Sequence, residues 1–431
     1  MNKEKINTIK IKWQNPLSFA KKVADNYDLN WTFLYSGLND KVKESFSYIA
    51  LFPKEEIISQ KFEDLEKTQK SENLWFGYLS YEAGKEFENI EETRQSYINL
   101  PNIWLINFSL IIKFDHTKKE ITISYRDQNQ LNEVINYKSK NLVKERITIE
   151  TIDSNFSDQS YLEEISNIRK MIADGAFYQT NLTRKFFGKL KIKDFKQKNY
   201  FNLFKKLNTI SPANYSSFLR LNNNYIISAS PELFIKIDDK KQITSQPIKG
   251  TTPRSEDISQ DKKNKLYLVN SEKEKAENLM IVDLVRNDLS RVCKANSVKV
   301  SKLFEITSYK TIHHMSSTII GKIDNSFNNI DAIQACFPAG SMTGAPKIKA
   351  MEVIAKKEKM NRGVYSGAIG FIGKKEINLS VVIRTLICQG SKFEFQSGGG
   401  ITYDSNEKKE LEEIFNKTKA ISKLLNLDIK F

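Results

Sequence analysis

Short apolar strands and amphipathic helices alternate along this chain without the regular βαβ period that builds a parallel sheet. Residues 271–289 contain no Gly or Pro, and their apolar side chains recur about every 3.6 positions, which predicts a long helix. Strand-like runs at residues 233–237 and 368–372 lie on either side of it. This order favours an α+β fold with mixed or antiparallel sheets.

The other predicted elements rest on the same periodicity and on Gly and Pro punctuation. Helices are predicted for residues 161–173, after Asp331, for residues 346–357 and for Glu407–Leu425. Strands are predicted for residues 176–187, 215–220, 225–230, 379–386 and 393–395, and for a hairpin of residues 103–114 and 121–125.

The basic excess of the chain lies entirely in its second part. The 431 residues include 67 Lys and Arg against 52 Asp and Glu, a formal net charge of +15. Residues 1–150 hold 22 basic and 22 acidic side chains, whereas residues 151–431 hold 45 and 30. This charge is dispersed, which argues against a basic nucleic-acid-binding tail. A polar stretch at residues 139–160 predicts a boundary between an N-terminal region, residues 1–150, and a second region, residues 160–425.

Cysteine usage indicates a reducing compartment, and hydropathy predicts no membrane-spanning segment. Cys293, Cys336 and Cys388 form no CxxC pair, so neither a disulfide framework nor a cysteine zinc site is supported. The N-terminus lacks the apolar stretch of a signal peptide. The longest uncharged run, residues 96–112, is too short and too polar to span a bilayer. We therefore expect a cytoplasmic protein.

Two pairs of glutamates fall on the buried sides of two predicted helices. At about 100° per residue, Glu274 and Glu277 share an arc with Ile281, and Glu410 and Glu413 lie on or beside the apolar arc of the last helix. Burying several like charges is costly unless a cation offsets them, and carboxylate oxygens suit Mg²⁺. The alternative is that both pairs belong to solvated helix faces.

Lys249 and Glu232 are candidates for covalent and acid chemistry. Lys249 lies in SQPIKGTTPR, at a strand end that leads into a turn, and could act as a nucleophile if it were buried beside carboxylates. Glu232 follows a strand and could supply a general acid. An ordinary surface position is the simpler interpretation of each.

Two glycine-containing segments and one arginine suggest an anionic ligand. GSMTGAPK, residues 340–347, departs from the P-loop pattern but places Pro346 at a helix start, where free N–H groups favour an anion. SGGG, residues 397–400, exposes its backbone or permits close packing. Arg384, predicted inside an apolar strand, needs a carboxylate partner from the protein or from a ligand. The three histidines have no metal-ligand spacing.

Seven segments of the second region resemble, in order and spacing, the chorismate-utilising enzymes, a family that includes component I of the anthranilate and aminodeoxychorismate synthases. The resemblance covers about residues 160–425. It implies an α+β sandwich of large mixed or antiparallel sheets surrounded by helices, with both regions in one compact body. The segments are SQPIKGTTPR, AENLMIVDLVRNDLSRVC, HHMSSTIIG, FPAGSMTGAPKIKAMEVI, GVYSGAIGF, IRTL and SGGGITYDSNEKKELEEIFNKTKA.

The resemblance also implies a role for each matching residue. Four glutamates would hold Mg²⁺, and the Mg²⁺ would bind the ring carboxylate of chorismate. These are Glu274, Glu277, Glu410 and Glu413. Groups that would bind the substrate are Arg384, Tyr365, Lys417, Thr343, His314, Thr251, Gln179 and the backbone of Gly398, Gly399 and Gly400. The catalytic residues would be Lys249 as nucleophile and Glu232 as the acid that protonates the departing C4 hydroxyl.

Two positions select a reaction within the family. Members that use water have a lysine where this chain has Gln179, so ammonia is the expected nucleophile. Lys249 in PIKGT, where anthranilate synthases usually have alanine, implies covalent attack on C2 of chorismate before ammonia enters at C4. The expected product is 4-amino-4-deoxychorismate for p-aminobenzoate and folate. Anthranilate formation is the alternative and nucleic-acid binding a remote one. Ammonia is expected from a separate glutamine amidotransferase subunit.

Overall fold

The computed structural model describes residues 6–38, 45–70, 72–88, 90, 94–140, 147–191, 196–309 and 312–427. Residues 141–146 of the predicted boundary lie outside this set. The helices are α1 (Pro16–Asn26), α2 (Ala83–Phe87), α3 (Gln128–Ile135), α4 (Asp158–Ala173), α5 (Gln197–Ile210), α6 (Ile258–Asn270), α7 (Glu272–Ser290), α8 (Asn329–Cys336), α9 (Lys347–Lys357) and α10 (Glu407–Leu425), with 3-10 turns at Phe62–Lys70 and Gly340–Met342.

The strands fall into three runs along the chain. The first run is β1 (Asn7–Ile11), β2 (Trp31–Tyr35), β3 (Phe46–Ser59), β4 (Trp75–Leu79), β5 (Ile103–Asp115), β6 (Glu120–Tyr125), β7 (Thr148–Ser154) and β8 (Gln179–Lys191). The second is β9 (Tyr215–Leu221), β10 (Asn224–Ser230), β11 (Leu233–Ile237), β12 (Gln242–Gln246), β13 (Ile248–Pro253), β14 (Lys299–Ser308) and β15 (Ile312–Lys322). The third is β16 (Gly344–Ala345), β17 (Ala368–Ile372), β18 (Ile377–Val381), β19 (Thr385–Gln389) and β20 (Lys392–Ile401).

Every named strand pairing among the described residues is antiparallel. One layer has the order β1, β6, β5, β3, β2, β9, β10, β19, β20, β8, β7. The other runs from β5 through β4, β17, β18, β11 and β12 to β15, which also pairs with β13 and β14. The long β3–β5 ladder belongs to both layers. The predicted α+β architecture is confirmed, with antiparallel pairing.

Alternate side chains of the strands serve different cores, as the two-residue period of a strand requires. In β3, Tyr48 and Ala50 face a central cluster between the layers, whereas Ile49 and Leu51 face an outer cluster. Helices α1, α4, α5 and α10 cover that outer cluster, and α7 and α8 cover the outer side of the other layer. Strands of the N-terminal region pair with later strands in both layers, through β2–β9 and β4–β17.

The helices that carry the candidate glutamates have clear start signals. Ser271 caps α7 by accepting a hydrogen bond from the Glu274 amide at 3.3 Å, and Asn406 caps α10 by accepting one from the Lys409 amide at 3.1 Å. Asn426 ends α10 in the left-handed conformation. The apolar face of α7 is buried in its core cluster. The predicted bounds of α10 and of β11 are confirmed.

Several predicted elements differ from the structure. The predicted strand over residues 379–386 is wrong, because the chain turns between β18 and β19, where Arg384 has φ 50°. The SGGG segment lies within a strand, since its glycines continue β20 in register with β8. Pro346 is the N-cap of α9 rather than its first residue. The helix expected after Asp331 begins two residues earlier, because Asn328 and Asp331 form a capping box.

Candidate functional site

Strands β8, β13 and β20 bring Gln179, Lys249 and Gly400 together. A Cβ on Gly400 would lie 2.2 Å from Gln179 Nε2 and 3.0 Å from Lys249 Nζ. Only glycine leaves room for both side chains at this point of β20. The close-packing interpretation of the SGGG segment is therefore confirmed, and the three predicted positions share one site.

The Lys249 amine lies at the edge of the glutamate group. Its Nζ is 4.0 Å from Glu277 Oε2, and its side chain is 13% exposed. The exposed amine of Lys273 reaches the other oxygen of Glu277 at 3.7 Å. Lys249 is therefore enclosed beside a carboxylate, which can serve as the base that takes a proton from its ammonium group.

The glutamates of α7 and α10 approach the same space from two helices. Glu274 lies against Gly250, where a Cβ would be 3.0 Å from Oε2, and burial together with the charges of Glu277 and Glu413 raises its pKa. Glu410 is buried, and burial followed by the charge of Glu413 raises its pKa.

Hydrogen bonds and a cation fix the α10 glutamates. Ser405 Oγ donates to Glu410 Oε1 at 2.8 Å, and Glu410 Oε2 lies 2.8 Å from the position of a Cβ on Gly399. Glu413 is more open, with a 49% exposed side chain, and Lys417 at 2.5 Å lowers its pKa. Glu410 thus lies inside, as the helix geometry predicts, whereas Glu413 lies at the rim.

The carboxylate oxygens of these four glutamates are of the chemical type that binds a hard divalent cation. Burial first, and then the charges of neighbouring glutamates, raises the pKa of Glu274 and of Glu410, and carboxylate oxygens are the donors that such a cation prefers. Within the described part of the chain, no three His, Cys, Asp or Glu side chains are gathered closely enough to ligate a metal ion. The donor set is suitable, but it is more open than a closed metal site.

Glu232 is a buried carboxyl whose charge interacts with those of Lys249 and Lys417. Burial raises its pKa to about 7, against the hydrogen bond from Ser341 Oγ at 2.6 Å and the charge of Lys249. At neutral pH a substantial fraction is therefore protonated, as a general acid requires. The surface interpretation of Glu232 is wrong.

Among the described residues, the Arg384 guanidinium has no protein partner. Burial lowers the pKa of its guanidinium, against the charge of Glu232. Within the described residues, no side chain or carbonyl forms an ion pair or hydrogen bond with this guanidinium. Its left-handed φ of 50° places it in the bend between β18 and β19. Such a group calls for an anionic ligand.

His314 faces the site as a neutral ring. Its Nδ1 lies 2.7 Å from Thr251 Oγ1, and its buried Nε2 has no partner among the described residues. Burial and the charge of Arg384 lower the pKa of His314 to about 3, so the ring is neutral at physiological pH.

The remaining predicted substrate-binding residues differ in how far their polar atoms are already hydrogen-bonded within the protein. Lys417 Nζ donates to the Gly398 carbonyl at 2.8 Å. The buried hydroxyl of Thr343 donates to the carbonyls of Ala339 and Gly340, both at 3.3 Å, so its oxygen is already tied to the backbone. Tyr365 is buried in the apolar cluster, and burial raises its pKa.

Buried polar residues that the sequence did not single out hold this arrangement. Arg362 forms an ion pair with Glu358 at 2.7 Å and donates to the carbonyls of Met342 and Asn181, both at 2.7 Å. Lys347 pairs with Asp288 of α7 at 2.7 Å and donates to the Cys336 carbonyl at 2.9 Å, so the lysine of GSMTGAPK joins three helices. Glu358 lies only four residues before Arg362, but the other partners of these two cations lie too far along the chain to be inferred.

Comparison with known proteins gives consistent matches. The family model described as chorismate binding enzyme matches residues 36–423. Aminodeoxychorismate synthase component 1 of Escherichia coli strain K12 is 35% identical over 353 residues, which cover 81% of this chain and 76% of that protein. Anthranilate synthase component 1 of Aquifex aeolicus is 30% identical over 372 residues, covering 81% and 74%.

The fold has a close structural counterpart. The crystal structure of anthranilate synthase component I from Streptococcus pneumoniae TIGR4 aligns with a TM-score of 0.76 and 26% identity, covering 89% of this chain and 93% of that one. No helix in the described residues is both long and apolar enough to cross a membrane.

Proposed function

The chain belongs to the family of chorismate-binding enzymes, and we propose that it aminates chorismate at C4 to give 4-amino-4-deoxychorismate, the precursor of p-aminobenzoate and folate. The observation that carries this proposal is the pairing of Lys249 with Gln179 across Gly400. The Lys249 amine can attack a carbon atom, whereas the Gln179 amide cannot take a proton from an attacking water. Relatives named aminodeoxychorismate synthase component 1 support the same reaction.

Substrate binding relies on cations that point into the site. Arg384 has no protein partner among the described residues, which suits a bidentate contact with one carboxylate of chorismate. Lys417, half exposed at the rim, uses two of its three N–H groups on Glu413 and the Gly398 carbonyl and can donate the third to a second carboxylate. The neutral ring of His314 and the buried Tyr365 supply an uncharged wall for the substrate ring.

The first chemical step uses Lys249 and Glu232 together. The amine of Lys249 forms a bond to C2, the two ring double bonds each shift by one position, and the C4–O bond breaks. Protonated Glu232 gives its proton to the departing oxygen, which leaves as water. The raised pKa of Glu232 supplies this acid near neutral pH.

The second step reverses the first with a new nucleophile. Ammonia forms a bond to C4, the double bonds shift back, and the bond between C2 and Lys249 Nζ breaks. The proton lost by the new C4 nitrogen restores the acid form of Glu232. The net change replaces hydroxyl by amine, releases one water and retains the enolpyruvyl group.

Magnesium and an ammonia source complete the proposal. Glu274, Glu277, Glu410 and Glu413 would hold Mg²⁺, which when bound would offset their charges and fix the ring carboxylate of the substrate. Ammonia would come from a separate glutamine amidotransferase subunit, in agreement with the component 1 names of the relatives.

A product assay tests the proposed reaction. The chain is incubated with chorismate, Mg²⁺ and an ammonium salt, and the products are separated with and without an added aminodeoxychorismate lyase. We expect chorismate consumption without pyruvate release until the lyase is added, and then p-aminobenzoate. Fluorescent anthranilate with one equivalent of pyruvate would assign the chain to the alternative reaction.

A further inference from the structure

Two buried amide oxygens on β8 receive no hydrogen bond from the part of the chain that the structure describes. Gln179 is 1% exposed and Asn181 is 6% exposed, and neither Gln179 Oε1 nor Asn181 Oδ1 has a partner among the described residues. Buried acceptors are normally satisfied, and an exception calls for an explanation. Two such exceptions two residues apart on one strand indicate a shared ligand that donates hydrogen bonds.

The orientation of the Asn181 amide is fixed by its surroundings. Asn181 Nδ2 donates to the Ser341 carbonyl at 3.3 Å, so the oxygen of the amide must point the other way. The Asn181 backbone is held on both sides, by N–H donation to the Thr343 carbonyl at 2.8 Å and by Arg362 on its own carbonyl at 2.7 Å. The free oxygen is therefore held in place by a rigid frame.

Both amide side chains lie on the face of β8 that meets Gly400, the glycine next to the Lys249 amine. Residues two apart on a strand project from the same face with their Cα atoms about 7 Å apart, so one small molecule can lie between the two side chains. Asn181 is directly opposite Gly400 in the β8–β20 register, and Gly400 is the residue that contacts both Gln179 and Lys249. Asn181 Oδ1 also lies 2.9 Å from the position of a Cβ on Gly398.

We propose that Asn181 Oδ1 and Gln179 Oε1 together form the ammonia-binding subsite, an inference that rests on the proposed amination. Ammonia has three N–H donors and one lone pair. Two fixed carbonyl acceptors take two N–H groups and leave the lone pair free to attack C4. The bond from nitrogen to C4 forms as the bond from C2 to Lys249 Nζ breaks, and the excess proton of the new amine passes to the Glu232 carboxylate.

The test is the Michaelis constant for ammonium in an Asn181→Leu variant of the full-length chain. Loss of one acceptor should raise the KM for ammonium about tenfold or more at saturating chorismate, equivalent to about 1.4 kcal/mol. The dissociation constant of chorismate, measured by calorimetry without ammonium, should stay within about twofold. Asn181→Ser, which is smaller and retains an acceptor oxygen, should recover part of the affinity and guards against misfolding.

Asn208 supplies a matched control. It is buried on α5, its Oδ1 also lacks a partner among the described residues, and its Nδ2 donates to the Phe204 carbonyl at 3.0 Å. Asn208→Leu should leave the KM for ammonium unchanged. An unchanged KM in Asn181→Leu, or an equal loss of affinity for chorismate and ammonium, would overturn the subsite. Formation of anthranilate by the unaltered chain would refute the proposed function instead, because the Asn181 measurement reports ammonia binding whatever the product.

Discussion

Glu232 shows how burial alone changes the chemistry of one residue. In the sequence it is an isolated glutamate after a strand, with nothing to distinguish it from a surface carboxylate. In the fold, the loss of water raises its pKa to about 7, and the Ser341 hydroxyl is too weak a donor to reverse that effect. Burial depth is set by the packing of β11, β18 and the turn before α9, which no local pattern encodes.

The raised pKa of Glu232 predicts a pH-dependent stability. The folded state binds this proton more tightly than the unfolded state, whose ordinary pKa is 4.5, so the contribution is present below pH 4.5 and is lost as pH rises through about 7. Glu232→Gln removes the effect, worth up to about 3 kcal/mol. In urea unfolding, the variant should gain stability relative to the parent between pH 5 and pH 8. An equal difference at both pH values would contradict the raised pKa.

Lys249 predicts a separation of binding from chemistry. Lys249→Ala should lower kcat on the order of 10³-fold, because the covalent step is lost, while chorismate still binds through Arg384. Lys273→Ala is the matched control, since Lys273 also approaches Glu277 but its side chain is 55% exposed. Steady-state rates and calorimetric binding are measured on both variants. Full activity of Lys249→Ala would remove the covalent intermediate from the mechanism.

At the scale of elements, helices α7 and α10 carry the two glutamate pairs of the proposed metal site. Each is fixed by a side-chain cap at its start, and each presents carboxylates to the same space. The sequence was sufficient for this feature, because a helical period places Glu274, Glu277 and Glu410 on a known face. It was insufficient for the bend at Arg384, where a positive φ interrupts an otherwise continuous apolar run.

The two glutamate pairs of α7 and α10 predict that a divalent metal ion stabilises the folded chain. Adding Mg²⁺ to the chain without substrate should raise its melting temperature by roughly 2 to 5 °C, because the ion relieves repulsion between the carboxylates. Glu410→Gln should abolish most of this rise, whereas Glu412→Gln, on the exposed side of α10, should preserve it. Differential scanning fluorimetry with Mg²⁺ and with EDTA gives the comparison. An equal rise in both variants would place the ion elsewhere.

At the scale of the whole molecule, the two sequence regions share both sheets. Register pairs such as Thr32 with Leu219 and Gly77 with Gly370 join them in each layer. Strand periodicity and the family segments were sufficient for the α+β sandwich, because they are local signals. The long-range pairings were not predictable, because they depend on which distant strand edges meet. The N-terminal region thus completes the sheets that position β8 and β20.

This shared architecture predicts that residues 151–431 do not fold alone. Their separation would expose the edges of β9 and β17 that β2 and β4 cover in the intact chain. We expect an aggregated or non-cooperative species in size-exclusion chromatography and thermal circular dichroism. Co-expression with residues 1–150 is the control and should restore part of the soluble, cooperative fold. A monomeric fragment with the melting temperature of the full chain would contradict the shared core.

The position of the transferred nitrogen tests the central claim most directly. The full chain is supplied with chorismate, Mg²⁺ and ¹⁵N-labelled ammonium, and the product is examined by NMR. The Lys249 relay predicts ¹⁵N bonded to C4, with the enolpyruvyl group still attached to the ring. Label at C2 of an aromatic product, together with free pyruvate, would contradict it.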